Sequence, residues 1–280
     1  MYGARDALRR GGRLASMKSA ELARAGGRIH YEVSGRNHGP ALVLLHPLAA
    51  SAAIWEAQRP DFERFFRLIR IDLRGHGSSR LEAGPPQPCT MQDLADDVLA
   101  VLDAEGIERA HWCGLSIGGT VALQAALAAP RRVLRLVLAN TAAHYPPATG
   151  WDERIATVAA GGLASLLAAV PARWFSPGFR ERESAAVARV VALLEAVQPR
   201  GYLEACTALR DCDLTARLGE VQAPTLVIAG ALDPPPSEER AGQLADGIPG
   251  ADWVVLDAAH CTNVEQAADF TATVLGFLRD

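Results

Sequence analysis

The sequence predicts an α/β fold, in which a mostly parallel, doubly wound sheet carries an inserted all-helical cap. Apolar runs of strand length alternate with helical patterns, and the later runs are almost continuous in Val, Leu and Ile. Strands of that composition are covered by helices on both faces, as in a parallel sheet. The alternation stops over residues 141–213, where the pattern is helical and no run resembles a strand.

Seven apolar runs in the regular part of the chain are expected to be strands. They are residues 29–33, 41–45, 68–71, 110–113, 133–139, 225–229 and 253–256. A helix is expected over residues 91–105, because Thr90 is suited to cap its start and Gly106 to end it.

These patterns assign residues 21–140 and 214–280 to the core and residues 141–213 to the cap. Residues 1–20 carry five basic side chains and no apolar run, so a secretory signal is not expected. The two remaining interpretations of this start are an organelle transit peptide and a poorly ordered extension. We favour the extension, because termini are usually poorly ordered.

Composition limits the partners that we expect. The chain has 280 residues and a net charge of −4, which gives no electrostatic reason for nucleic-acid binding. No stretch approaches the roughly 18 apolar residues of a membrane-spanning helix, so no membrane partner is expected. Five cysteines without a CxxC spacing indicate reduced thiols and a cytoplasmic location. The expected partner is a small-molecule substrate, and the oligomeric state stays open.

A G-x-S-x-G motif at residues 114–118 carries the expected chemistry. It follows a predicted strand and precedes a helical run, which is the context of a nucleophilic serine, here Ser116, on a tight turn. The backbone N–H of Ile117 then lies at a helix N-terminus, where it can stabilise an oxyanion. A second N–H is expected after the strand at 41–45, and Leu48 is the candidate because Pro47 has no N–H.

A serine nucleophile needs a base, and the base needs a third group to orient it. For this type of serine turn the chain order is serine, acid, histidine. Asp233 follows the strand after the cap, and His260 follows the last strand. The rival acid is Asp257, which we interpret as a turn residue because it lies on the loop of the histidine itself. The predicted catalytic residues are therefore Ser116, Asp233 and His260.

These motifs resemble the α/β-hydrolase family from about residue 21 to residue 278, which implies the α/β-hydrolase fold. Several segments look like 3-oxoadipate enol-lactonases in particular. They are residues 113–119, 136–143, 150–155, 173–177, 201–206, 208–214 and 256–266. The resemblance implies hydrolysis of a small anionic enol-lactone in aromatic-compound catabolism, the β-ketoadipate pathway. It implies no metal and no organic cofactor, and neither has a sequence motif here.

The chain departs from the lactonase pattern at two places. The oxyanion turn has the form His46-Pro47, with Ala49 where glycine is usual. His144 stands where an arginine usually follows the Asn-Thr-Ala-Ala run. If that arginine holds the substrate carboxylate, His144 is a weaker partner for it, and a related lactone or ester becomes a candidate substrate.

The cap is expected to supply the substrate-binding residues. The candidates are His144, Trp151, Arg154 and Trp174. The alternative for both tryptophans is packing between cap helices, and Arg154 equally suits a solvated helix surface or an ion pair.

The main functional hypothesis is lactone hydrolysis through an acyl-enzyme on Ser116. A carboxylesterase or carbon–carbon bond hydrolase would use the same triad, and cofactor-free haloperoxidase-like activity shares this machinery. A small-molecule receptor on a hydrolase scaffold is the non-enzyme alternative, against which the intact triad argues. Epoxide hydrolase and haloalkane dehalogenase chemistry is disfavoured, because those enzymes use aspartate at the position of Ser116.

Overall fold

The computed structural model describes residues 14–280, and a nine-stranded sheet forms its centre. The strands are β1 (Leu14–Arg24), β2 (Gly27–Arg36), β3 (Ala41–Leu45), β4 (Arg67–Ile71), β5 (Arg80–Leu81), β6 (Ala110–Leu115), β7 (Val133–Ala139), β8 (Thr225–Gly230) and β9 (Asp252–Leu256). Their order is β1-β2-β4-β3-β6-β7-β8-β9, with β5 paired to β2. Pairing is antiparallel around β2 and parallel from β4 through β9, which confirms the predicted fold class.

Helices follow most of the parallel strands. They are α1 (Arg59–Glu63), α2 (Met91–Ala104), α3 (Ile117–Ala128), α4 (Ala148–Gly161), α5 (Val170–Trp174), α6 (Pro177–Arg182), α7 (Ser184–Val191), α8 (Pro199–Asp211), α9 (Ser237–Gly247), α10 (Thr262–Glu265) and α11 (Ala267–Arg279). Helices α4 to α8 lie between β7 and β8, in the segment expected to be a cap. Within residues 14–280, no helix has both the length and the apolar character needed to cross a bilayer.

The core is built on strands β3, β6 and β8, in which every residue is buried. This explains the continuous apolar runs in the sequence, because helices cover both faces of these strands. Helix α2 begins as predicted at a capping box, in which Thr90 and Asp93 each accept from the backbone N–H of the other. All seven predicted strands are present.

The start of the chain differs from the prediction. Strand β1 pairs antiparallel with β2 from Leu14 to Arg24, so residues 14–20 are not a poorly ordered extension. Its side chains are mostly exposed because it is an edge strand, which explains why no apolar run marks it in the sequence. Residues 1–13 of the expected extension lie outside the described part of the chain.

The cap contacts the core closely at the start of α8. A Cβ on Gly201 would lie 2.5 Å from the Cα of Gly75 and 2.8 Å from the carbonyl oxygen of Arg74. The backbone N–H of Gln198 donates to the Gly75 carbonyl at 2.7 Å in the same contact. Two backbones therefore meet where only glycine fits.

We expect Gly201→Ala to lower the free energy of unfolding by about 1–3 kcal/mol, because the added methyl group must push two backbones apart. Urea unfolding monitored by circular dichroism measures the change. Gly276→Ala is the matched control, because a Cβ there meets no atom within 4 Å. In helix α11 that substitution should raise the free energy of unfolding by about 0.5–1 kcal/mol. Equal midpoints for Gly201→Ala and the unsubstituted chain would contradict the close contact.

Candidate active site

Ser116 sits on a tight turn between β6 and α3, with φ 56° and ψ −123°. A side chain rarely adopts this left-handed conformation, so the neighbouring backbone has to hold it. A Cβ on Gly114 would lie 2.2 Å from the Gly118 carbonyl oxygen, and one on Gly118 would lie 2.4 Å from that of Leu45. The glycines of the motif therefore let the turn close against itself and against β3.

Asp233 and His260 form a hydrogen-bonded pair at the ends of two neighbouring strands. The Nδ1 atom of His260 lies 2.9 Å from Oδ2 of Asp233, and that oxygen also accepts from Asn140 Nδ2 at 3.0 Å. Burial alone would raise the pKa of Asp233, but the charge and hydrogen bond of His260 and the Asn140 donor hold it below its usual value. An ionised Asp233 fixes the proton of His260 on Nδ1, which leaves Nε2 as the basic nitrogen. Asp257, the rival acid, is exposed.

Hydrogen bonds connect the loop that carries His260, called the histidine loop below, to the cap. One carboxylate oxygen of Glu265 accepts from the backbone N–H of Ala259 and from that of Ser176, each at 3.1 Å. The N–H of Cys261 donates to the carbonyl of Trp174 at 3.0 Å. Both residues that flank His260 along the chain are thereby anchored. The histidine loop and cap residues 174–176 therefore fix each other's position.

Ser116 and His260 line one cavity of about 250 Å³ under the cap, and Leu48 lines it as well. Ile117 is the first residue of α3, directly after the serine. Within residues 14–280, no hydrogen bond uses the backbone N–H of Leu48 or of Ile117, so both expected oxyanion donors are unengaged.

Hydrogen bonds of the His46 ring stabilise the turn before Leu48. The Nδ1 atom of His46 lies 2.8 Å from the Pro47 carbonyl oxygen, and its Nε2 accepts from the N–H of Leu73 at 2.9 Å. Burial lowers the pKa of His46, so the ring stays neutral. Ala49 has φ 69°, which gives a physical reason for the glycine usual at that position.

Three of the four cap candidates line the cavity. They are Trp151, Arg154 and Trp174. The indole N–H of Trp151 donates to the Tyr145 carbonyl at 2.9 Å, and its ring meets the Tyr145 ring edge-on. The Arg154 guanidinium lies over the Trp151 ring and donates from Nε to the Tyr202 hydroxyl. Trp174 is buried beside the histidine loop.

His144 is the exception: it was expected to hold a substrate carboxylate, and it faces Asp213 instead. It does not line the cavity; its Nδ1 lies 3.6 Å from Asp213 Oδ2, and its backbone bridges to Asp213. Its side chain is 39% exposed. The next residue, Tyr145, lines the cavity instead, because consecutive side chains of an extended segment point to opposite sides.

Sequence reasoning missed two arginines that line the cavity, Arg173 and Arg240. The terminal nitrogen of Arg240 donates to the Pro146 carbonyl at 2.8 Å, and its guanidinium lies over the Tyr145 ring. Desolvation by the surrounding protein lowers the pKa of Arg173, and the positive charge of Arg154 lowers it further. Asn140 was also missed as the second donor to the acid. The lactonase-like segments at 136–143 and 173–177 contain Asn140 and Arg173, but nothing in the sequence indicates their contacts.

A second Ser–His–Asp set lies at the sheet edge. Ser19 Oγ is 2.8 Å from His30 Nε2, and His30 Nδ1 is 3.0 Å from Asp72 Oδ2. Ser19 is an exposed residue in the middle of β1, without a strand-to-helix turn. Asp72 also accepts from the backbone N–H groups of Ala52 and Ser78, so it holds together the surrounding loops. This set lacks the strand-to-helix turn of Ser116, and its three residues do not line the cavity under the cap.

The chain is similar to known hydrolases along most of its length. The family described as "alpha/beta hydrolase fold" matches residues 40–267. A 3-oxoadipate enol-lactonase of Acinetobacter baylyi is 33% identical over 256 residues, 91% of this chain and 95% of that protein. RutD of Agrobacterium fabrum, whose name assigns it carbamate hydrolysis, is 33% identical over 260 residues, 89% of this chain and 98% of that protein.

Among solved structures, the enol-lactonase from Burkholderia xenovorans superposes with a TM-score of 0.89 at 34% identity. The match covers 93% of this chain and 100% of that one. The family resemblance inferred from the motifs is confirmed. The chain belongs to the α/β-hydrolase family, and it is a hydrolase that resembles the 3-oxoadipate enol-lactonases.

Proposed function

We propose that this protein is a cytoplasmic serine hydrolase that opens a small anionic enol-lactone in aromatic-compound catabolism, in the β-ketoadipate pathway. One observation carries the proposal: the Ser116 turn and the Asp233–His260 pair meet in a small cavity lined by arginines. The similarity to two enol-lactonases supports the substrate class. All five cysteines are free and buried, which suits a reducing compartment.

Each group has a distinct role in the proposed reaction. Ser116 Oγ attacks the ring carbonyl while His260 Nε2 takes its proton, and Asp233 keeps the imidazole oriented. The N–H groups of Leu48 and Ile117 stabilise the oxyanion. Collapse of this intermediate breaks the ring C–O bond, and His260 returns the proton to the enolate oxygen. Water, activated by His260, then cleaves the acyl-enzyme, and the released enol ketonises on its own.

The arginines explain why the proposed substrate is an anion. Arg154, Arg173 and Arg240 face the same cavity, and no carboxylate side chain lines it among residues 14–280. A guanidinium binds a carboxylate through two parallel hydrogen bonds, which favours a planar anion over a neutral ester. With His144 outside the cavity, these residues supply the cation that the lactonase pattern lacks at position 144.

Carbamate hydrolysis is the second candidate, because RutD matches at the same identity as the lactonase. A neutral carboxylic ester or a carbon–carbon bond would also suit the proposed triad. Turnover of freshly generated 3-oxoadipate enol-lactone, measured beside a short-chain p-nitrophenyl ester and a small carbamate, separates these candidates. Preference for the ester or the carbamate would reject the lactone.

We expect Ser116→Ala to lower kcat by about 10⁴-fold or more, because it removes the attacking oxygen and leaves the fold intact. Steady-state turnover of the preferred substrate measures the loss. Ser165→Ala is the matched control, since Ser165 lies exposed in the cap and bonds only the Gly162 carbonyl. Activity of Ser116→Ala within about tenfold of the unsubstituted enzyme would reject Ser116 as nucleophile.

Asp233→Asn should lower kcat by roughly 10⁴-fold, because an amide keeps the shape but no longer favours the working tautomer of His260. Asp257→Asn serves as its control and should cost little, since Asp257 is exposed on the histidine loop. The two variants are compared by kcat in one assay. If Asp257→Asn were the more damaging substitution, the acid would have to be reassigned.

A further inference from the structure

Three side-chain hydroxyl groups meet beside the serine turn. They belong to Thr120 on α3 and to Thr141 and Tyr145, which lie between β7 and α4. Each hydroxyl oxygen lies 3.0 or 3.1 Å from the other two. Both threonines are buried, and burial raises the pKa of the Tyr145 hydroxyl, so it keeps its proton. None of these three residues, the hydroxyl cluster, has a role in the proposed reaction.

One hydroxyl of the cluster contacts the serine turn directly. Thr141 Oγ1 donates to the Ser116 carbonyl oxygen at 2.6 Å. The same oxygen accepts from the backbone N–H of Gly119 at 2.8 Å and from that of Thr120 at 3.2 Å. Thr141 can approach the turn because Gly119 has no side chain, since a Cβ there would lie 2.8 Å from Thr141 Oγ1. Three donors therefore converge on one carbonyl oxygen.

The Ser116 carbonyl belongs to the peptide group whose other end is the N–H of Ile117, a proposed oxyanion donor. This peptide bond is trans, so its C=O and N–H point in opposite directions. Holding the carbonyl therefore fixes the direction of the N–H. Hydrogen bonds accepted by a carbonyl also polarise its peptide group, which makes the N–H a stronger donor.

The contacts of the hydroxyl cluster determine where its protons go. Each hydroxyl has one proton to donate. The proton of Thr141 is used on the Ser116 carbonyl, and that of Thr120 on the Ala142 carbonyl at 3.2 Å. Tyr145 accepts from the Ala142 N–H at 3.0 Å, so its own proton is directed at the two threonine oxygens. A chain of hydrogen bonds therefore runs from Tyr145 through Thr141 to the Ser116 carbonyl.

The surroundings of Tyr145 hold its ring in place. The indole N–H of Trp151 donates to the Tyr145 carbonyl, and the two rings meet edge-on. The Arg240 guanidinium lies over the Tyr145 ring, 5.4 Å from its centre. The hydroxyl cluster is therefore fixed by α3 on one side and by cap helix α4 and α9 on the other.

We propose that Thr141 is a positioning residue, whose hydroxyl orients the Ser116–Ile117 peptide group so that the Ile117 N–H meets the oxyanion. Tyr145 in turn orients the Thr141 hydroxyl. This inference rests on the proposed function, because it needs an oxyanion formed by attack of Ser116. Acylation and deacylation both pass through such an oxyanion. Loss of the hydroxyl therefore slows both steps and leaves substrate binding unchanged, so kcat falls while KM stays.

Two substitutions of Thr141 that differ by one oxygen test the inference. Thr141→Ser keeps the hydroxyl, Thr141→Ala removes it, and both lack the methyl group. The full-length enzyme is assayed with p-nitrophenyl acetate as the probe. We expect kcat of Thr141→Ala to lie about tenfold below that of Thr141→Ser, a smaller loss than removal of a direct oxyanion donor causes. The two KM values should agree within about twofold. Tyr145→Phe should lower kcat by a smaller factor, about threefold.

A second buried threonine separates positioning from stability. Thr225 begins β8, at the end opposite to the one that leads to Asp233, and its hydroxyl donates to the Ala223 carbonyl at 2.9 Å. Thr225→Ala should lower the urea midpoint as Thr141→Ala does, but should keep kcat within about twofold of the unsubstituted enzyme. The acid-side fall of kcat/KM should occur at the same pH in every variant, because none of them changes a contact of His260.

Equal kcat values for Thr141→Ala and Thr141→Ser would overturn the inference. A raised KM with unchanged kcat would also overturn it, because Thr141 would then contact the substrate, as would a displaced pH profile, which would place the effect on His260. Ser116→Ala is measured in the same assay. Activity retained by that variant would instead reject the proposed function, whatever the Thr141 variants do.

Discussion

The left-handed turn that carries Ser116 is the constraint on which the rest of the site depends. The serine holds φ 56° only because Gly114, Gly118 and Gly119 have no side chains. Without a Cβ, Gly118 packs against the end of β3, and Gly119 packs against Thr141 after β7. The turn thus brings together Ser116, the end of β3 that leads to Leu48, and the segment from which Asn140 holds Asp233. The same close packing makes the site intolerant of even one added methyl group.

A second network positions His260, and it joins the core to the cap. Asn140 donates to Asp233 and accepts from the hydroxyl of Thr262, two residues beyond His260. Glu265 links the histidine loop to Ser176 of the cap through a shared carboxylate. Since Arg173 and Trp174 lie just before Ser176, the segment proposed to bind the substrate also positions His260, the proposed base. In the proposed mechanism, short and direct contacts therefore couple substrate recognition to proton transfer.

The sequence predicted the features that depend on interactions between residues close together in the chain. Buried strands, the helix cap at Thr90 and the serine turn each depend on a few neighbouring residues, and all of them are present. The pairing of Asp233 with His260 follows from chain order. Strand β1 was missed because an exposed edge strand has no apolar run. The direction of His144 and the convergence of Arg173 and Arg240 depend on how the cap helices pack against the core and its helix α9, which periodicity does not determine.

We propose that the turn and the cavity, together with the Asp233–His260 pair, make Ser116 the one activated serine among residues 14–280. The Ser19–His30–Asp72 set offers an internal comparison, because His30 bonds an aspartate as His260 does, but the set lacks the strand-to-helix turn and does not line the cavity. Reaction of the full chain with phenylmethanesulfonyl fluoride, followed by peptide mass mapping, tests the claim most directly. We expect a single adduct on Ser116, and its formation should be greatly slowed in His260→Ala. Labelling of Ser19 instead, or labelling of Ser116 at an unchanged rate in His260→Ala, would contradict it.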